Sequence, residues 1–339
     1  MRQLGMASTN TKVILLRRPE GAATPEHFEI QTEELGPLEP GKVRVGVEYV
    51  SIDAGLRTML QGEGYHSQVA VGAVVHTHGV GRIVESNEAD WPVGQAVLGR
   101  VGAQTVATLD PASLVEVDDT GGPLSRHLGV LGISTGVTAW IGVQEVAKPQ
   151  PDDIFVVSAA AGAIGSLVGQ IAKRSGAHVI GIAGGPEKCT YLVDTLGFDA
   201  AIDYKNDDVG ERLGELAPDG INIFYDNVGG DILDAALDNI AMRAKVVICG
   251  AISQYDDMSN VTGPSMYLRL PERQSTMVGF AVFHFPELYE QATAELNAWL
   301  DDGSLLTPEH ILEGIETFPE ALQFMFTGGN IGKLMVKFG

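Results

Sequence analysis

Two rhythms of apolar and polar positions divide the chain. Over residues 11 to about 125 the apolar positions come in short runs, "KVILLRR", "KVRVGVEYV", "VGRIVES", "QAVLGRVG" and "TVATL", with Gly, Pro and Asp between them. Short β-rich runs broken by turn formers predict an irregular, barrel-like β unit. At about residue 126 the spacing becomes helical in "SRHLGVLGISTGVTAWIGVQEVA", and "KPQPDD" stops it. From 153 to about 283, uninterrupted apolar runs alternate with helical patterns: "DIFVVSAA", "HVIGIAG", "AAIDY", "INIFYDNV", "AKVVICGAI" and "STMVGFAVF". Strands that are apolar on both faces and alternate with helices predict an α/β doubly wound parallel sheet. The last fifty residues predict helix, turn and strand in "PELYEQATAELNAWLDDG", "FPEALQFMFTGG" and "NIGKLMVKFG". A chain of 339 residues exceeds what one core usually serves, so two domains are expected.

Composition narrows the partners. Lys and Arg number 22 against 44 Asp and Glu, a formal charge of −22, which opposes general binding to nucleic acid or to an anionic membrane. No apolar run approaches the roughly 18 residues of a membrane span. The start "MRQLGMASTNTK" lacks the apolar stretch of a signal peptide, so the expectation is a soluble, cytoplasmic protein. The two cysteines, Cys189 and Cys249, are too few for a disulfide framework or a four-cysteine zinc site. Both are expected to be buried packing residues. His76 and His78 of "HTHGVG" share a strand face, but no third ligand is signalled and no cysteine precedes 189, so no metal is expected. No Gly-x-Ser-x-Gly nucleophile elbow occurs.

The candidate chemistry begins at "DIFVVSAAAGAIGSLVGQIAKRSG", which reads as strand, glycine turn and helix. Gly162 would let the backbone approach a diphosphate, and Gly165 would let the helix pack closely on the strand. The helix start would offer its free N–H groups to the phosphates. Ala160 stands where the first glycine of such a turn is usual, so the turn must be made with a Cβ present. An NAD-type site places an acid at the end of the second strand, to accept from the ribose hydroxyls. Here Ala183, Gly184 and Gly185 stand there, and Glu187 comes later, followed by Lys188. Without the acid a 2′-phosphate is not repelled, and Lys188 supplies a cation to meet it. NADPH is therefore the expected cofactor.

A longer set of motifs points the same way: "LSRHLGVLG" with "GVTAW", "SAAAGAIGSLVGQIAK", "GGPEKC", "LGFDAAIDYK", "PDGINIFYDNVGG", "ICGAISQYD" and "GGNIGKLMVKFG". In these, over nearly its whole length, the chain resembles the zinc-free medium-chain dehydrogenases/reductases of the prostaglandin reductase, alkenal double-bond reductase and curcumin reductase family. The resemblance implies a homodimer. It also implies a GroES-like β-barrel domain, residues 1–127 completed by 289–339, and a Rossmann NADPH-binding domain, residues 128–288. Ala163, Ile164, Gly165 and Ser166 would face the diphosphate, and Lys188 with Tyr204 would hold the 2′-phosphate. Asn227, Cys249, Gly250, Ala251, Ile252, Ser253, Phe280, Ala281 and Val282 would line the ribose and nicotinamide, and Asn330 would reach the cofactor from the returning segment.

The implied reaction is hydride addition to the activated double bond of an α,β-unsaturated ketone or aldehyde. Tyr255 of "ISQY" would donate to the enolate oxygen. Two departures from the family pattern concern the substrate. The usual Asp-Pro-Tyr-Met-Arg reads "DAGLR", so Gly55 replaces a pocket tyrosine, and the usual Met-Pro-Gly reads "STG" at 134–136. Tyr65 of "GEGYHSQ" remains as a pocket wall. Quinone or carbonyl reduction on the same scaffold, and a non-catalytic NADPH-binding protein, stay open as alternatives.

Overall fold

The computed structural model describes residues 8–62 and 67–338. The chain folds into two units. The first comprises Met1–Leu128, His310–Asn330 and Leu334–Gly339, and the second Gly129–Glu309 with Ile331–Lys333.

The first unit begins with β1 (Thr9–Leu15) and β2 (Phe28–Glu34), an antiparallel pair. It continues through β3 (Val43–Ser51), β4 (Gly79–Ser86), β5 (Ala96–Gly99), β6 (Val106–Leu109) and β7 (Leu114–Glu116). In the second unit β8 (Ile154–Val157), β9 (His178–Ala183), β10 (Ala200–Asp203), β11 (Ile221–Asp226), β12 (Ile240–Ile248) and β13 (Thr276–Gly279) follow. The chain then returns as β14 (Glu309–Glu313) and β15 (Lys333–Lys337), which extend the first unit's sheet in the order β14-β15-β3-β4-β5-β7, with β6 on β3. Val13, Leu15, Val47 and Val50 meet Phe318 and Leu322 of the helix Phe318–Phe326 in the core of this unit.

The second unit is one parallel sheet in the order β10-β9-β8-β11-β12-β13. The strand order reverses between β8 and β11, the switch point at which doubly wound sheets bind nucleotides. Alternation along each strand sorts its side chains to two faces. Phe155, Val157, Tyr225 and Val247 join the helix Gly165–Arg174 on one face, through Leu167, Val168 and Ile171. Val156, Ile180, Phe224 and Val246 join the helices Val209–Leu216 and Gly230–Asp238 on the other, through Leu213, Leu233 and Leu237. Both faces are dry, which is why these strands read as unbroken apolar runs.

The helical run after 125 is realised as Ile133–Val137, Thr138–Ile141 and Gly142–Ala147, the first and last in wider π-type turns. A Cβ on Gly136 would stand 1.7 Å from the Val130 carbonyl oxygen, and one on Gly142 would stand 2.2 Å from the Tyr225 hydroxyl. Gly142 lets the run lie against β11, and Gly136 lets its first turn close on the segment at Val130. The helix Tyr289–Asp301 belongs to the second unit, not to the returning segment expected from 289. Its Ala292 and Leu296 are buried in the second unit's core, and the Trp140 indole donates to Glu295 at 2.9 Å. The first unit takes the chain back only at His310.

Candidate active site

The turn after β8 is tight. Ala159 takes φ +49°, a left-handed conformation that costs an L-residue about 1–2 kcal/mol. Its carbonyl accepts from the Gly162 N–H at 2.9 Å, and the buried Ala160 donates to the Ile182 carbonyl at 3.0 Å. The strained residue is thus the one before Ala160, and Ala160 itself docks on β9. A Cβ on Gly165 would lie 2.3 Å from the Ala159 oxygen, so the helix start presses directly on the turn. Gly165→Ala is accordingly expected to destabilise the fold by about 2 kcal/mol. A thermal melt should show this as a lower Tm, and an unchanged Tm would refute the close approach.

Among the described residues the N–H groups of Ala163, Ile164 and Gly165 meet no acceptor. Three unengaged donors at the start of a ten-residue helix are the feature that an anion-binding helix start offers. Ser166, expected in the same row, is placed differently. Its N–H is spent on the Gly162 carbonyl at 3.1 Å, and its buried hydroxyl, without a partner, opens on a cavity of about 10 Å³ lined by Thr135, Pro308 and Lys333. The turn is also stitched to the end of the chain: Gly332, at φ +71°, donates to the Ala161 carbonyl at 2.8 Å. Sequence reasoning passed over Gly332, although "GGNIGK" carries it.

At the end of β9 the sheet offers two cations. Asp203, paired in register with Ala183, accepts from the Gly185 N–H at 2.7 Å, the Lys205 N–H at 3.1 Å and the Asn206 side chain at 2.7 Å. Its charge is consumed in shaping the loop. A Cβ on Gly184 would come within 2.8 Å of the Tyr204 ring and 2.9 Å of the Lys205 side chain, so both lie across the Gly184 backbone. Among the described residues no carboxylate stands within 4 Å of the Lys188 or Lys205 ammonium. Partial burial, and then the neighbouring Lys205, push the Lys188 pKa below its ordinary value. Tyr204, expected from the sequence, lies over Gly184, and Lys188 follows four residues later at the start of the next helix. Lys205 joins them and was not foreseen, because one lysine after "DY" carries no spacing signal.

The remaining loops form a single plate at the ends of β11 and β12. Asp226, wholly buried, accepts from the Ser158 hydroxyl at 2.8 Å, the Val228 N–H at 2.9 Å and the Gly229 N–H at 3.0 Å. Burial pushes its carboxyl above the ordinary range, and those donors oppose the rise. Asn227 donates from its backbone to the Ser158 hydroxyl and from its side chain to the Ser158 carbonyl, both at 2.8 Å, which leaves Oδ1 as its unengaged atom. Ser158 and Asp226 are thus the support for Asn227, a role that their sequence context did not disclose. The segment 249–253 hangs on this turn. Cys249 and Gly250 donate to the Asp226 carbonyl, Ile252 to that of Asn227, and Ser253 to that of Val228.

Tyr255 folds back over the same segment. Its oxygen accepts from the Ala251 N–H at 3.2 Å, and a Cβ on Gly250 would lie 3.3 Å from it. Phe280 stands edge-on to Tyr225 at 6.4 Å. Ala281 is exposed, whereas the Val282 side chain is buried in the core and its carbonyl accepts from the Tyr289 hydroxyl at 3.1 Å. Both cysteines are only partly buried, where full burial was expected. Burial pushes the Cys249 thiol up to about 11 and raises Cys189 too, so neither is a thiolate nucleophile near neutral pH.

In the first unit Gly55 opens the short helix Gly55–Met59, just after Asp53, which accepts from the Ser51 hydroxyl at 2.5 Å. Asn330 is buried in this unit, and Tyr65 lies outside the described residues. Among the described residues no group of three or more His, Cys, Asp or Glu is placed to hold a metal ion.

Two family profiles match the chain: the N-terminal domain of oxidoreductase over residues 11–117 and zinc-binding dehydrogenase over residues 163–298. The zinc of the second description has no matching ligand set among the described residues. The chain is similar to the NADPH-dependent curcumin reductase of Escherichia coli, 33% identical and covering 97% of this chain and 96% of that one. It is likewise similar to prostaglandin reductase 1 of Mus musculus, 37% identical over 94% of this chain and 96% of that one. Among solved structures, CurA of Vibrio vulnificus in complex with NADPH superposes with a TM-score of 0.91 at 34% identity, covering 97% of this chain and 99% of that one.

Proposed function

Since the chain belongs to the medium-chain dehydrogenase/reductase family, in the branch of the prostaglandin and curcumin reductases, we propose that it reduces the activated carbon–carbon double bond of α,β-unsaturated ketones or aldehydes with NADPH. The observation that carries the cofactor reading is the lysine pair. Lys188 feels the neighbouring Lys205 and has no carboxylate within 4 Å among the described residues, and a 2′-phosphate would meet both cations. The free N–H groups of Ala163, Ile164 and Gly165 would hold the diphosphate. Asn227 Oδ1 and the 249–253 segment would position the ribose and nicotinamide.

When bound, NADPH supplies the hydride that adds to the β-carbon. Negative charge then develops on the substrate's carbonyl oxygen, and the Tyr255 hydroxyl donates to it. The Ala251 N–H on the phenol oxygen polarises that hydroxyl and strengthens its donation. Tyr255, or water, returns a proton to the α-carbon. Gly55, in place of a bulky wall residue, favours a larger substrate.

Side-by-side assays with an enone, a quinone and a saturated ketone test this reading, and the enone should be consumed fastest. Faster quinone or ketone turnover would move the assignment to those reactions. NADPH binding without any turnover would leave only a cofactor-binding protein.

The assembly proposed is a homodimer. β13 is an edge strand, and the segments flanking it expose Tyr267, Leu268 and Phe283 at 56%, 64% and 69%. An open sheet edge flanked by exposed apolar side chains favours pairing with a second copy. Light scattering should return twice the chain mass of 35.9 kDa, and a monomer at micromolar concentration would refute it.

A further inference from the structure

An acid in a site built for an anion needs a reason. Ala183 ends β9, where an NAD-type site keeps its acid. The acid of this chain stands in register with it on the neighbouring strand: Asp203 ends β10 and pairs with Ala183. It is half-buried and feels the Lys205 charge. A carboxylate so placed repels a phosphate, unless its oxygens are occupied and its position serves another end.

The oxygens are occupied. Oδ1 accepts from the Gly185 N–H at 2.7 Å and from the Lys205 N–H at 3.1 Å, and Oδ2 accepts from the Asn206 side-chain amide at 2.7 Å. Slight burial pulls the carboxyl upward, but the three donors and then Lys205 outweigh it and hold the group below the ordinary carboxylate range. Two of these bonds stay inside the turn after β10. That turn is closed without them, by the Asn206 and Asp207 N–H groups on the Asp203 carbonyl at 3.0 and 2.8 Å. The bond to Gly185 is different, because it crosses to the turn after β9, 18 residues away in the chain.

Gly185 gives that crossing its leverage. It takes φ +96°, a conformation open to glycine without steric cost. Its carbonyl accepts from the Cys189 N–H at 3.2 Å, so it begins the short helix Pro186–Thr190 that carries Lys188. One oxygen, Asp203 Oδ1, therefore fastens both the backbone ahead of Lys188 and the backbone of Lys205 itself.

We propose that Asp203 is a positioning residue for cofactor selection: its Oδ1 sets the separation of Lys188 and Lys205, so that the pair meets a 2′-phosphate together. Side chains that contact a ligand act only as well as the residues behind them hold them in place. The proposal rests on the reading that these two lysines hold the 2′-phosphate.

The test measures KM and kcat for NADPH and for NADH, at a saturating enone concentration, in the full-length protein and in Asp203→Ala, Asp203→Glu and Asp203→Asn. Asp203→Asn keeps an Oδ1 acceptor without the charge, and Asp203→Glu keeps the charge on a longer arm. Asp203→Ala and Asp203→Glu should each raise KM for NADPH about tenfold, with KM for NADH and both kcat values within about twofold, and Asp203→Asn should recover most of the loss. An equal rise for both cofactors would make Asp203 a support of the loop alone and overturns the proposal. A rise for NADH alone overturns it too, because Asp203 would then accept from the ribose hydroxyls. So does a lower KM for NADPH in Asp203→Asn with Asp203→Glu unchanged, the mark of simple repulsion. Lys188→Glu, measured alongside, separates the two readings. If it shifts NADPH alone while the Asp203 variants shift nothing, only the proposal fails. If it shifts both cofactors equally, the lysine reading fails and takes the proposal with it.

Discussion

Lys188→Glu is expected to raise KM for NADPH by about 10²–10³-fold while KM for NADH changes by less than about threefold. A charge-assisted hydrogen bond to phosphate is worth about 1.5–3 kcal/mol, and reversing the charge adds repulsion to that loss. NADH lacks the 2′-phosphate and should hardly register the change. Lys205 remains in the variant and limits the damage, so Lys205→Ala alone should cost about tenfold. In the parent, partial burial and then the neighbouring Lys205 raise the cost of charging Lys188. A bound phosphate dianion removes that cost, which is why a pair selects more sharply than one exposed lysine would. Steady-state kinetics with both cofactors decide the matter. Equal changes for NADPH and NADH would remove the lysine pair from cofactor selection.

The second large effect is expected at Tyr255. Tyr255→Phe keeps the ring over Gly250 and Ala251 and removes only the hydroxyl. Deleting one preorganised donor to a developing oxyanion costs about 10²–10³-fold in kcat. The Kd for NADPH, followed by fluorescence titration, should stay within about twofold, because the rest of the 249–253 segment is held through Asp226, Asn227 and Val228. A fall in NADPH affinity equal to the fall in kcat would make Tyr255 a wall of the cofactor site instead of an acid.

The parallel sheet was legible because its central strands β8, β9 and β11 are buried on both faces and appear as apolar runs, while the edge strands β10 and β13 kept an apolar composition although half-exposed. β2 was not, since only Phe28 of its seven residues is buried, and β7 and β14 are short or half-exposed. Periodicity reports burial, and these strands have little. The return point was misplaced from 289 to 310 because the helix Tyr289–Asp301 has an ordinary amphipathic pattern that does not say which core it serves. Trp140, far away in sequence, settles it by holding Glu295.

At the candidate site one single-residue signal has a direct structural counterpart, the close approach at Gly165. What the sequence withheld was pairwise. Lys205 matters only because Tyr204 and Gly184 lay it beside Lys188. Ser158 and Asp226 matter only because they meet 68 residues apart in the chain.

The bond from Gly332 to Ala161 has a consequence for the order in which the protein is made. A nascent chain that has already emerged with all six parallel strands still lacks it. Domains generally form from the N-terminal side during synthesis, so the sheet can assemble while its phosphate turn remains unfastened. Full cofactor affinity then arrives late, when residues 331–333 leave the ribosome, and chains released by premature termination before that point should be poor competitors for the cell's NADPH.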